Sequence, residues 1–493
     1  MIGVLNVVEE GKLEIPQKYF DLLPEPIKYA ENNNALIQIR NSLAWLFYLC
    51  DLPKRERDKI IQELLKSDYR TKLNLHPELD AIGIFLYFQT EYEKIISSIK
   101  RILKRISQYK ITHPGLIITS LYSTWVQPYT LSEHEYKLLV EIVRNPGGSF
   151  REWSKNTKLS LAGVKYTFDR LKRKLFLRIN CLINFNALKL KHVFVRISGI
   201  YNNRLKKMTM ETFLENIWCR SVWWFASNPD TLFVSLTIPS HTRCVYNFLE
   251  YIKSFSDIGN VDVYEVREMF SSYNLSAYNP KTGWNFSPSA WTMFSFSQTS
   301  EDYLGYLKQI SSIRRLAYTN LHNFKFSKGD LYIISGLFRD FRLKTTILSN
   351  ISGYSLPTVS KKKREFVEKG ILCPDTFVVN IGLSNSIALL WEKSSEEIEY
   401  LIYASAELPR IIGYKMEKIF PSPGTYLMLF TWLPGIVSWD FIQHFSELGR
   451  EVGLREVYYE YKGPGSFSID RFIHRWDGKR QVWKWKNGNF QII

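Results

Sequence analysis

The residues Ser160-Leu-Ala-Gly-Val-Lys-Tyr-Thr-Phe-Asp-Arg-Leu-Lys-Arg-Lys-Leu175 combine a helical hydrophobic period with a cluster of basic side chains. The apolar residues at that spacing form one face, made of Leu161, Val164, Phe168, Leu171 and Leu175. The opposite face consists of Ala162, Lys165, Tyr166, Asp169, Arg170 and Arg173. Ser160 stands where a helix N-cap is expected. The pattern predicts an amphipathic helix that a DNA major groove can admit; the alternative is a surface helix whose charges only face water.

The residues on both sides of this helix predict a small domain around it. A first helix is indicated by Leu131, Leu138, Leu139 and Ile142, and it ends before Asn145-Pro-Gly-Gly148. Residues 150–158 indicate a second helix, and residues 177–185 alternate as a β-hairpin does. Three helices followed by a hairpin describe a winged helix-turn-helix, which we place at residues 128–190.

The same pattern returns 195 residues later, since Ser355-Leu-Pro-Thr-Val359 matches Ser160-Leu-Ala-Gly-Val164 at that offset (355 − 160). Phe326-Ser327 matches Leu131-Ser132 at the same offset (326 − 131). The shared offset and element order predict a second winged helix-turn-helix at residues 326–385. Its counterpart of the basic face carries Ser355, Thr358, Ser360, Lys361, Lys362 and Arg364. Lys363 takes the place of Phe168, which weakens the apolar face of the second copy (363 − 168 is 195).

A β-α-β-β-α-β order is predicted three times between and around these modules. The first unit covers residues 35–127, with strands at 36–40, 81–88 and 116–121, and a helix at 91–109. The second covers 191–270 and the third 386–465. The predicted fold class is therefore α+β: tandem winged helix-turn-helix modules alternating with three ferredoxin-like units.

The remaining segments have weaker patterns. Residues 1–34 form an N-terminal segment, and residues 271–325 form an aromatic-rich extension that ends in a helix at 301–321. Residues 466–493 indicate a basic aromatic hairpin that turns at Asp477-Gly478. We expect this hairpin to pack on its own domain; stacking on nucleic acid is the alternative.

Composition limits the class of partner and the compartment. The formal net charge is +17, a sign that attracts polyanions such as nucleic acid. The five cysteines form no CxxC pair, so we expect no metal site and no cofactor, and a reducing compartment. Neither a signal peptide nor a membrane span is recognisable. These features predict a cytoplasmic, nucleoid-associated protein without membrane contacts.

The order of a winged helix-turn-helix followed by a β-α-β-β-α-β unit resembles the Lrp/AsnC family of prokaryotic, archaeal-like transcription regulators, here internally duplicated. The resemblance covers residues 131–266 and 326–461. It implies that the third helix of each module reads double-stranded DNA, that the α/β units assemble, with a homodimer as one outcome, and that an amino acid can act as effector. The family's glycine-rich effector loop has no match here, so a small-molecule effector is unsupported by the residues.

These observations favour a DNA-binding transcription regulator with two covalently linked recognition helices. The predicted DNA-binding residues are the two outer faces given above, from Ser160 to Arg173 and from Ser355 to Arg364. The alternatives are an architectural, chromatin or mobile-element DNA-binding protein without strong sequence specificity, and, ranked lower, an RNA-binding protein that uses the ferredoxin-like sheets. No catalytic motif is recognisable, so the sequence predicts no catalytic residues and a protein that is not an enzyme.

Overall fold

A computed structural model of the chain separates it into two compact units. One unit comprises residues 1–129 with 172–176, and the other comprises 130–171 and 177–493. No helix among the described residues is long and apolar enough to cross a membrane. The structure describes residues 15–31, 33–64, 73–75, 79, 81, 92–108, 110–112, 117, 121, 131–225, 227–286, 305, 308, 313–321, 324–378, 381–434, 454–459, 461–462 and 469–484.

The secondary-structure elements described in the first unit are all helices. Its helices surround one apolar core, to which Ile39, Leu43 and Leu103 contribute. They are α1 (Gln17–Phe20), α2 (Glu25–Lys28), α3 (Asn34–Asp51), α4 (Lys54–Leu64) and α5 (Tyr92–Gln108). The predicted helix at 91–109 is therefore confirmed as α5.

The predicted strand at residues 36–40 is wrong, because these residues lie inside α3. Asn33 caps that helix by accepting a hydrogen bond from the Leu36 backbone N–H at 3.2 Å. Leu36, Ile39 and Leu43 recur every three or four residues and are buried, which is a helical period that a five-residue window cannot separate from alternation. Ile117, in the predicted strand at 116–121, is also helical. Residues 82–88 of the predicted central strand lie outside the described residues, and the described residues of 35–127 include no strand.

The first helical module consists of α6 (Glu133–Arg144), α7 (Phe150–Thr157) and α8 (Leu161–Lys174). Ser132 and Ser149 begin α6 and α7 with capping boxes, each pairing with the glutamate three residues later. The inner faces of the helices supply the apolar core through Leu138, Leu139, Ile142, Trp153, Val164, Phe168 and Leu171. The three predicted helices are thus confirmed.

The second helical module repeats this arrangement with α11 (Lys328–Arg339), α12 (Thr345–Ser352) and α13 (Leu356–Glu368). Ser327 begins α11 with a capping box to Asp330, at the position of Ser132 in the first module (327 − 132 is 195). Gly353 after α12 has a φ of 74°, and Lys158, its counterpart after α7, has a φ of 59°. Both modules therefore use a left-handed residue to enter the third helix.

The predicted hairpin at 177–185 is wrong, because only one strand, β1 (Arg178–Ile183), forms there. It pairs antiparallel with β9 (Leu372–Phe377), which follows the second module. Asn180 lies opposite Asp375, and 375 − 180 equals the repeat offset of 195. Equivalent strands of the two modules thus pair with each other, with a local twofold axis at this residue pair. Alternation showed that a strand was present but could not show which strand it pairs with.

The rest of the second unit is built on a ten-stranded antiparallel sheet. The strands are β2 (Leu190–Ser198), β3 (Cys219–Phe225), β4 (Leu232–Pro239), β5 (Asn260–Tyr273), β8 (Arg314–Ala317), β10 (Leu383–Glu392), β11 (Arg410–Phe420), β12 (Gly424–Pro434), β13 (Leu454–Tyr459) and β14 (Tyr461–Lys462). Their order in the sheet is β13-β10-β12-β11-β5-β2-β4-β3-β14, with β8 paired to β5. Because β14 begins two residues after the end of β13, the sheet closes on itself.

Helices α9 (Asn203–Glu215), α10 (Thr242–Lys253) and α14 (Ser395–Ala404) cover the outer face of this sheet. The order β2-α9-β3-β4-α10-β5 matches the order predicted for 191–270. The helix predicted at 301–321 is wrong at Arg314–Ala317, which form β8. A short hairpin, β6 (Tyr278–Asn279) with β7 (Gly283–Trp284), lies in the extension.

The C-terminal hairpin of β15 (Trp476–Asp477) and β16 (Val482–Trp483) packs on its own unit, as predicted. The indole N–H of Trp483 donates to the carbonyl of Leu188 at 2.7 Å, and that of Trp476 donates to the carbonyl of Phe326 at 3.1 Å. Both rings are buried, so neither presents a free face to stack on a base.

Candidate nucleic-acid interface

The outer face of α8 is exposed at most of the predicted positions. Ala162, Lys165 and Asp169 are exposed, and Tyr166 exposes 63% of its surface. The inner face of the helix is held by aromatic contacts, because the Phe168 ring lies 5.3 Å from Phe150 and 5.6 Å from Trp153 of α7. Rigid packing on one side therefore fixes the direction in which the outer side chains project.

Helix α7 and the residue that follows it carry exposed basic side chains as well. Arg151 and Lys155 lie one turn apart on α7, Lys158 is the left-handed residue after its end, and all three are exposed. Together with Lys165 of α8 they form what we call the cationic face: Arg151, Lys155, Lys158 and Lys165. The residues predicted to bind DNA in the first module all lie on α8 or at its N-cap, and they do not include Arg151, Lys155 and Lys158. The signal for these three residues was their regular spacing in residues 151–158.

The four counterparts of the cationic face in the second module are uncharged. At an offset of 195 they are Thr346, Asn350, Gly353 and Ser360, all exposed. Other exposed positions of the second module do carry positive charge, among them Lys361 and Arg364 of α13. The two modules share a scaffold but present different surfaces.

Two of the predicted DNA-binding residues form ion pairs inside their own modules. The Arg170 guanidinium lies 2.8 Å from a carboxylate oxygen of Glu135, the buried capping residue of α6. Lys362 of the second module lies 3.3 Å from Asp330, the capping residue of α11. Both cations thus tie the third helix of a module to the start of its first helix. Their charges are engaged by carboxylates, which reduces what they offer to a phosphate.

The predicted serines are helix caps. Ser160 Oγ accepts a hydrogen bond from the Gly163 N–H at 3.0 Å, and Ser355 Oγ accepts one from the Thr358 N–H at 3.4 Å. A serine hydroxyl still has a proton to donate when it accepts as a cap. Ser160 is exposed and can therefore donate to a phosphate oxygen. Arg173 is exposed as well.

The substituted lysine of the second module is accommodated by a different contact. Lys363 Nζ donates to the carbonyl of Phe341 and lies 4.0 Å from the centre of the Phe341 ring. Burial, followed by the nearby charge of Arg342, lowers the pKa of Lys363. Lys363 therefore takes part in the packing of the second module.

A buried polar cluster that sequence reasoning missed lies within the closed sheet. The imidazole of His192 is fully buried, with Nε2 2.8 Å from Ser235 Oγ and Nδ1 3.2 Å from the Tyr318 hydroxyl. A guanidinium nitrogen of Arg220 lies within 3.1 Å of the ring. Burial, together with the charge of Arg220, lowers the pKa of His192 well below its usual range. The ring is neutral at pH 7 and serves the polar interior of the sheet.

Comparison with known proteins gives weak matches. No model of a known protein family matches the sequence, and no curated protein matches it significantly. The crystal structure of the siroheme decarboxylase NirDL is similar with a TM-score of 0.44 and 10% identity, covering 70% of this chain and 98% of that one. NirDL in co-complex with an iron-uroporphyrin III analogue has a TM-score of 0.43 and 11% identity, covering 69% of this chain and 96% of that one. The crystal structure of PH0061 has a TM-score of 0.22 and 15% identity, covering 28% of this chain and 93% of that one.

The comparison corrects one expectation. We expected a protein that is not an enzyme because no catalytic motif was recognised, but the similar solved structures include those of a decarboxylase. The expectation that the protein is not an enzyme is therefore wrong. TM-scores below 0.5 give this chain neither a family nor an activity.

Proposed function

We propose that the chain is a DNA-binding transcription regulator that contacts double-stranded DNA through the first helical module. The observation that carries this proposal is the cationic face, whose four exposed cations lie on α7, at the residue that follows it and on α8, which also carries the exposed Tyr166. Phosphates of a duplex are neutralised by such side chains, while a helix in the major groove presents its outer residues to the bases.

The proposal takes the two modules as winged helix-turn-helix domains and the two halves of the closed sheet as ferredoxin-like units. In this arrangement α8 is the recognition helix, with Lys165 and Tyr166 at the groove. Ser160 donates to a phosphate near the start of the helix. Arg151, Lys155 and Lys158 contact the DNA backbone beside the groove and set the register of the recognition helix.

The two halves of the closed sheet also bear on assembly. The outer strand β5 of one half pairs with β11 of the other, and β3 pairs with β14. These strand edges, through which two different chains could pair, are thus already paired within one chain. A homodimer remains a prediction, and it requires a surface other than these edges.

A salt titration of DNA binding tests the proposal. The full chain and the variant Lys155→Ala/Lys158→Ala/Lys165→Ala are titrated with a fluorescent duplex between low and moderate salt. The slope of log affinity against log salt should fall by about 0.9 for each phosphate contact removed, and so by roughly two to three in the variant. A matched control, Lys54→Ala/Lys59→Ala/Lys281→Ala, removes the same charge from other exposed positions.

Equal slopes for the two triple variants would overturn the proposal, because the effect would then depend on total charge alone. Affinity for a selected sequence compared with random DNA separates the regulator from an architectural protein. A regulator should discriminate between them by at least roughly 10³, and an architectural protein by little.

A further inference from the structure

The second helical module exposes large apolar side chains where the first module is mostly polar. We call these residues the apolar patch; they are Tyr332, Ile347, Ile351 and Leu356, with 37, 43, 44 and 46% of their surfaces exposed. Single exposed apolar residues are normal on a protein surface, but a group on adjoining helices marks an interaction site.

The members of the patch lie on adjoining parts of the module. Ile347 and Ile351 are one turn apart on α12 and therefore share a face. A Cβ added at Gly336 of α11 would lie 3.5 Å from Cδ1 of Ile351. Tyr332 lies one turn before Gly336 on the same helix, and Leu356 begins the next helix.

The first module shows that the fold does not require an apolar patch. At an offset of 195, its residues are Lys137, Glu152, Asn156 and Leu161. Asn156 Nδ2 donates to Glu141 Oε1 at 2.7 Å, whereas the same two positions in the second module are Ile351 and Gly336. The core of the second module is filled by other side chains, among them Leu348, Val359 and Phe366. The apolar patch is therefore surplus to packing.

The charges beside the patch indicate the chemistry of a partner. Lys328 lies one turn before Tyr332, Lys344 precedes α12, and Arg364 lies two turns after Leu356; all three are exposed. Two copies of this chain, each carrying +17, would bring like charges together at such a surface. A duplex would leave the isoleucines against phosphates, which gains nothing from their burial.

We propose that the apolar patch docks an acidic amphipathic helix of a partner protein. Its apolar residues, recurring at helical spacing, would cover Ile347, Ile351 and Leu356, and its carboxylates would face Lys328, Lys344 and Arg364. The second module is then a protein-docking module on a helix-turn-helix scaffold. The proposal does not depend on DNA binding by the first module, because docking is measured without DNA.

Fluorescence anisotropy with a synthetic peptide tests the docking. The probe is an 18-residue helix with leucines at helical spacing and glutamates elsewhere, and a scrambled peptide of the same composition is the reference. Saturable binding to the full chain should weaken at least about tenfold in Ile347→Glu/Ile351→Asn, which installs the residues of the first module. Tyr201→Asn/Tyr246→Asn removes exposed rings elsewhere, 86 and 63% exposed, and should leave binding unchanged.

A second variant keeps the test decisive if the double substitution perturbs the module. Lys344→Glu alters only an exposed side chain that makes no cap bond, and it should weaken binding of the acidic peptide mainly at low salt. Equal binding of the designed and scrambled peptides, or undiminished binding by both variants, would overturn the proposal. A dimer in sedimentation that Ile347→Glu/Ile351→Asn dissociates would assign the patch to a second copy and overturn it as well.

Discussion

The two helical modules have nearly the same interior and opposite exteriors. Val164 and Val359 are equivalent and buried, as are Leu171 and Phe366, and Glu135 and Asp330 cap equivalent helices. On the outside, the second helix of the first module reads FREWSKNT and that of the second reads TTILSNIS, without a charge. Core periodicity therefore reports the fold of a repeat, while its exposed positions report what each copy contacts.

The modules are also held rigidly against each other. Beyond the β1–β9 pair, the Arg342 guanidinium of the second module lies 4.5 Å from the Phe150 ring and 4.8 Å from the Trp153 ring of the first. Its Nη1 donates to the Gly148 carbonyl at 2.7 Å. The two modules therefore form one joined body that carries both outer surfaces.

The largest effect is expected from the ion pair at the centre of the module pair. Asp375 of β9 lies 2.9 Å from Nη2 of Arg410, and both side chains are almost fully buried. Asp375→Ala leaves Arg410 without its carboxylate and should lower the free energy of unfolding by about 3–5 kcal/mol, measured in urea. The exposed pair of Glu250 and Lys253 supplies the control, since Glu250→Ala should change little. A loss as small as the control's would show that the buried pair of Asp375 and Arg410 does not stabilise the fold.

The same pair predicts a dependence on pH. Burial alone would raise the pKa of Asp375, but Arg410 and Arg314 hold it below the usual value. A depressed carboxyl pKa contributes stability that is complete above the unfolded pKa of about 3.9 and is lost as pH falls through the folded pKa. The difference in unfolding free energy between the wild type and Asp375→Ala should therefore be constant from neutral pH down to about 5 and shrink below 4. A difference that grows on acidification would reverse the assigned sign.

How far the sequence could predict these features depends on the range of the interactions. Helices α6 to α8 and α11 to α13 follow from local periods and caps. The sequence therefore predicted the repeat and most of the exposed positions of α8. The pairing of Asn180 with Asp375 joins residues 195 positions apart, and nothing local encodes it. The engagement of Arg170 and Lys362 by capping carboxylates is equally non-local, because a charge pattern does not reveal its partner.

The sheet shows a further limit of pattern reasoning. At an offset of 195, Val193 corresponds to Ala388, yet Val193 packs in the helix-side core of its half and the matching core of the other half takes Ile387. Side chains alternate between the two faces of a strand, so a shift of one residue reverses which of them are buried. The repeat offset thus holds through the helical modules and shifts by one in the strand that follows.

A smaller effect is expected on DNA binding from the second module. Lys361 and Arg364 are exposed, but the four positions equivalent to the cationic face are uncharged. Lys361→Ala/Arg364→Ala should therefore lower the salt slope of duplex binding by less than one, against roughly two to three for the triple variant of the first module. Similar losses from both modules would show that each binds DNA, and the contrast between them would no longer describe function.

The smallest effect concerns how the second helix of each module begins. Ser149 caps α7 through a hydrogen bond from the Glu152 N–H at 3.2 Å, whereas its counterpart Lys344 makes no cap bond to α12. Ser149→Ala should lower the unfolding free energy by about 1 kcal/mol, and Lys344→Ser should raise it by about 0.5–1 kcal/mol because a serine can supply the missing acceptor. Urea titration of both variants measures the two changes.

Because residue 344 also lies beside the apolar patch, Lys344→Ser should weaken binding of the acidic peptide while it stabilises the module. A variant in which stability and peptide affinity rise together would contradict the placement of Lys344 at the rim of the docking surface.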